Sequence, residues 1–92
     1  MSPRWATVAG YDLYFYAAER HQRPHVDVRG PDGRATLDIR TGEVLAGRLP
    51  ARVLRAVKTV LDAHRTRALE AFQAALEHRP FDSLETLEDD DD

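Results

Sequence analysis

The sequence predicts one small α+β domain: an antiparallel sheet of three to five strands followed by one long amphipathic C-terminal helix. Three observations predict it. The first half of the chain alternates apolar and polar residues in twos, the period of a half-buried strand. Gly30-Pro31-Asp32-Gly33 and Thr41-Gly42 punctuate that half with turns. From Pro50 to His78 the apolar residues recur in threes and fours instead.

Ala6 to Ala9 reads as a weak strand, ended by Gly10. Tyr11 to Ala17 is aromatic-rich, which favours a strand. Alternation puts Tyr11, Leu13, Phe15 and Ala17 on one face and Asp12, Tyr14 and Tyr16 on the other. Glu19 to Pro24 is polar and loop-like, and Pro24 suits a strand entrance. His25 to Arg29 directs Val26 and Val28 to one side, His25 and Asp27 to the other. Across the Gly30–Gly33 turn, Arg34 to Arg40 alternates with Ala35, Leu37 and Ile39 inside, which makes a hairpin. Glu43 to Ala46 adds a short strand or a docking segment. In the helix, Val53, Val57, Val60, Leu61, His64, Ala68, Ala71, Phe72 and Ala75 share an arc of roughly 120°. Pro50 fits its first turn and Pro80 stops it. About 28 residues of helix would extend about 42 Å, more than a small sheet can cover. The helix therefore either kinks near Arg65-Thr66 or carries its last turns, Ala68 to His78, onto another chain.

The 92 residues make a single domain over 1–80, with a disordered acidic tail over 81–92. Seven acids and no base lie between Asp82 and Asp92. Nine of the 16 acids thus remain to face all 13 bases, and a mildly basic body carries an acidic end. Without cysteine there is neither a disulfide framework nor a thiolate metal site. No apolar run approaches the roughly 18 residues of a membrane span, and the first residues lack the pattern of a signal peptide. The expected setting is cytoplasmic, with no membrane partner.

Two groups of residues carry chemistry. His25 and Asp27 project from one strand face about 7 Å apart. An imidazole beside a carboxylate suits acid–base work. It also offers two ligands for a metal, but the third is missing, so neither a metal site nor a cofactor is assigned. Tyr14 and His64 complete the candidate catalytic set, with His21, Tyr16 and Asp38 as further additions. The competing reading of the pair is a hydrogen-bonded cross-strand contact. That of His64, inside the apolar stripe, is a core residue bonded to a backbone carbonyl or a sheet side chain. His25 and His64 meet only if the helix covers the His25 face rather than the valine face. On the opposite side of the helix, Arg52, Arg55, Lys58 and Arg65 form a candidate nucleic-acid contact, or a solvated helix face. Tyr14 and Tyr16 are candidates for stacking bases. No phosphate loop, nucleophile elbow or zinc spacing occurs.

The runs YDLYFYAAE, RPHVDV, GRATLDI and AHRTRALEAF, in that order, resemble the bacterial family of domain of unknown function 4160. The resemblance covers about Ala6 to Leu76. It rests on Pro24, His25, Val26, Val28, Gly33, Ala35, His64, Arg65, Leu69, Glu70 and Ala71. Asp27 stands where that family typically has a second histidine, Phe72 where it often has tryptophan, and Arg34 where it often has glutamate. The resemblance implies a component of a toxin–antitoxin-like two-gene module, in complex with a small partner protein from the same operon. With the small core and the overlong helix, the leading expectation is an interaction protein that binds this partner or itself as a homo-oligomer. A small ribonuclease-like or hydrolytic toxin using His25 and Asp27 is the second expectation. Nucleic-acid binding without catalysis is the third.

Overall fold

The computed structural model describes residues 4–16 and 23–84. The strands are β1 (Arg4–Val8), β2 (Tyr11–Tyr14), β3 (His25–Gly30), β4 (Gly33–Asp38) and β5 (Val44–Arg48). They form one antiparallel sheet in chain order, β1-β2-β3-β4-β5. Two helices follow, α1 (Ala51–Ala63) and α2 (Arg65–Leu76).

The turns set the register. Ala9 and Gly10 join β1 to β2 with φ of 53° and 80°, as a two-residue hairpin turn of the primed kind requires. Pro31 and Asp32 join β3 to β4 so that Gly30 faces Gly33. The Tyr11 ring lies over Gly30, where a Cβ would run into it. The Tyr11 hydroxyl accepts the Asp32 N–H at 3.1 Å. Asp38 organises the turn into β5. Its carboxylate accepts the N–H groups of Arg40 and Thr41 at 2.7 and 3.2 Å, and its carbonyl accepts that of Gly42. A bulge between Thr36 and Leu37 then shifts the β4–β5 register.

Leu13, Val26, Val28, Ala35 and Leu37 form the inner sheet face, and all are buried. Val53, Val57 and Leu61 of α1 join the same core, as do Ala68, Ala71 and Phe72 of α2. Each fully buried Val, Leu or Phe contributes about 1.5–3 kcal/mol. Phe15 lies at one end of this core with ring centroids 5.4 Å from Trp5, 6.5 Å from Phe72 and 5.6 Å from Phe81.

The single long helix is corrected to two. The chain breaks at His64, whose φ of −129° and ψ of 33° are not helical. Geometry rather than a breaker residue explains the break. Bent there, the chain keeps both apolar stripes on a molecule whose longest extent is 38 Å. Arg65 fixes the corner: its Nε donates to the Ile39 carbonyl at 3.0 Å and its Nη2 lies 2.6 Å from Asp62. The kink near Arg65 was one of two alternatives and is the one the chain takes, with Ala68, Ala71, Phe72 and Ala74 buried within this chain.

α2 ends with His78 at φ 57°. Arg79 N–H bonds to the Ala74 carbonyl and His78 N–H to that of Ala75, the paired closure that normally places glycine at the left-handed position. Beside it the Gln73 amide and the Arg79 guanidinium hold the Glu77 carboxyl below its ordinary value. Beyond α2, Phe81 packs against the core and Leu84 is buried. Residues 85–92 lie outside the described residues, as do Ala17 and His21.

Candidate functional site

The helices cover the valine face, so most of the other sheet face is left uncovered by them, and alternation sends its polar residues there, although Phe72 of α2 meets the His25 imidazole at one end. Three rows run across the strands. The first sets Asp12 of β2 against Arg29 of β3, Arg34 of β4 and Arg48 of β5. The second is Tyr14, Asp27, Thr36 and Ala46. The third is His25 opposite Asp38.

In the second row, Thr36 Oγ1 donates to Asp27 Oδ1 at 2.8 Å. Asp27 Oδ2 is buried and has no hydrogen-bond partner. His25 Nε2 faces that oxygen at 3.8 Å, too far for a hydrogen bond. His25 Nδ1 lies 3.0 Å from the Arg23 carbonyl. A carbonyl only accepts, so Nδ1 carries a hydrogen. The Phe72 ring meets the imidazole edge-on at 5.2 Å, which leaves His25 8% exposed.

A depression of ≈ 610 Å³ opens over this corner, bounded by Tyr16, Arg23, Asp27, Arg29, Thr36 and Leu45. A second, of ≈ 250 Å³, runs on between Arg29, Arg34 and Gly47. Among the described residues, Tyr16 and Leu45 are the large apolar side chains left exposed. The Tyr14 and Tyr16 rings lie 6.1 Å apart, and the Arg29 guanidinium sits 5.0 Å over the Tyr16 ring.

The first row carries the site's charge. Asp12 is taken by Arg4 at 3.6 Å and by the Thr7 hydroxyl. Arg29, Arg34 and Arg48 are exposed. None has a carboxylate partner among the described residues. Like charges directly opposed across strands are destabilising, and here two such pairings follow one another.

The expected site residues are thus divided. His25 and Asp27 adjoin as the alternation requires, and Tyr14 pairs with Asp27 across β2. His64 stays apart, because the helices cover the valine face. It is half-buried at the helix corner, and its imidazole has no hydrogen-bond partner among the described residues. Asp38 is occupied by its turn and by Arg23 at 3.5 Å. Arg52, Arg55 and Lys58 are exposed on α1, whereas Arg65 is committed to Ile39 and Asp62. Among the described residues no three His, Asp or Glu side chains group as a metal site. No helix there is long and apolar enough to cross a membrane.

Sequence reasoning missed the arginine row. Arg29 and Arg34 were within reach, since a two-residue turn between Gly30 and Gly33 places them opposite each other. Arg48 was not, because the bulge at Thr36 and Leu37 interrupts the count.

No curated protein and no solved structure matches the chain. A family model, described as Domain of unknown function (DUF4160), matches residues 10–73, well over half of the chain. The uncovered face, from Tyr14 through Arg48, lies within that span, and the chain belongs to the DUF4160 family.

Proposed function

We propose that this is a small binding protein of the bacterial cytoplasm that holds an anionic partner on the uncovered sheet face. One observation carries the reading: Arg29, Arg34 and Arg48 stand side by side in register with no carboxylate among them. Such a row costs stability in the free protein, and an anion lying across it removes that cost. The setting proposed is a toxin–antitoxin-like two-gene module with a small partner protein. Its support is the family resemblance, not the helix, whose length no longer calls for a second chain. Self-association would use the edge strand β5, which exposes Leu45.

Heparin chromatography of the full chain tests the anion reading. Arg29→Glu/Arg34→Glu/Arg48→Glu is expected to elute at much lower salt than wild type. A variant with Arg52, Arg55 and Lys58 changed to Glu controls for an equal change of net charge and is expected to shift less. Equal elution of the two variants would remove the sheet face from the proposal. The hydrolytic reading rests on the His25–Asp27 pair alone. It is less well supported, because Phe72 covers the imidazole and His64 does not reach it.

A further inference from the structure

Four features of the uncovered face narrow its ligand. The first is the arginine row, which asks for regularly placed negative charge. The second is Asp27 Oδ2, buried and without a partner. A carboxylate in the floor repels a ligand that is anionic throughout. It suits one whose hydrogen-bond donors alternate with its charges. The third is the pairing of Tyr14 and Tyr16 with the Arg29 guanidinium, a set of flat surfaces beside the charges. An acidic polypeptide has no use for these, whereas a nucleobase stacks on both rings and guanidinium planes. The fourth is shape. A sheet face is too broad to enter a duplex groove, but an unpaired strand can lie across it.

We infer that the face binds a single-stranded nucleic acid, its phosphates along Arg29, Arg34 and Arg48 and a base against Tyr16 and Arg29. The inference rests on the anion-binding reading above and specifies its ligand. The α1 cations lack such stacking neighbours: no Phe, Tyr or Trp occurs between Pro50 and Ala71.

The test is fluorescence anisotropy of the full chain with a labelled mixed-sequence 12-mer of single-stranded RNA. The same-sequence DNA, the RNA duplex and polyglutamate serve as competitors. Wild type is expected to bind the RNA and the same-sequence DNA more tightly than the duplex or polyglutamate. Three phosphate contacts on a single strand predict a log–log salt slope of about −2. Arg34→Glu lowers that slope by about 0.7 and Tyr16→Ala weakens RNA binding roughly 5- to 100-fold. Tyr16 is exposed, so its truncation leaves the fold intact, which the Trp5 fluorescence spectrum verifies. Tyr16→Ala leaves any polyglutamate binding unchanged. Duplex binding tighter than that of either single strand overturns the single-strand assignment. Polyglutamate binding as tightly as RNA, with Tyr16→Ala neutral toward both, overturns the nucleic-acid inference but leaves the anion reading standing. Binding of none of the four polymers overturns both.

Discussion

Arg65→Ala isolates the corner between the helices. In the native chain Arg65 Nε donates to the Ile39 carbonyl at 3.0 Å, across 26 residues of sequence. Its Nη2 also meets Asp62, whose side chain is 71% exposed. A hydrogen bond from a charged donor contributes about 1.5–3 kcal/mol. A pair with so exposed a carboxylate contributes about 0.3–0.5 kcal/mol. Removing Arg65 should therefore cost about 2 kcal/mol, or roughly 8–16 °C in Tm for a domain of this size. Asp62→Ala should cost less than about 0.5 kcal/mol. Arg65→Lys should recover little, because an ammonium lacks the fork that reaches both partners. Urea unfolding followed through Trp5, the single tryptophan and fully buried, measures all three. Equal costs for Arg65→Ala and Asp62→Ala, or a cost below about 0.5 kcal/mol for Arg65→Ala, would refute this role of Arg65.

Two further expectations concern the backbone. Ala9 and His78 hold φ of 53° and 57° without being glycine. Ala9→Gly and His78→Gly should each raise stability by about 0.5–1 kcal/mol, visible as a higher Tm in thermal unfolding. At Gly47, φ is 82° and a Cβ would strike the Arg34 carbonyl. Gly47→Ala should cost more than about 1 kcal/mol and loosen β5, with faster amide exchange at Ala46 and Arg48 than at Val26 and Val28.

The sequence by itself determined the local layers. Alternation from Tyr11 to Phe15 and from Val26 to Leu37 sorted inner from outer side chains, because a strand has only two faces, whereas His25 and Asp38 at the sheet's end are buried. It brought His25 next to Asp27 and Tyr14 next to Tyr16 for the same reason. The Gly30–Gly33 turn fixed one hairpin, and the three-four period announced helix after Pro50. What local pattern cannot carry is where one layer ends upon another. The helix corner at His64 has no proline or glycine to mark it; it follows from the extent of the sheet and from the Ile39 carbonyl that Arg65 reaches. The choice of the valine face over the His25 face, which separates His64 from His25, was likewise settled by packing. So was the place of Arg48, since a bulge in β4 resets the register. Periodicity fixes which side of its own element a residue takes. Only the packed core decides which elements share a side, and that placed three arginines in one row.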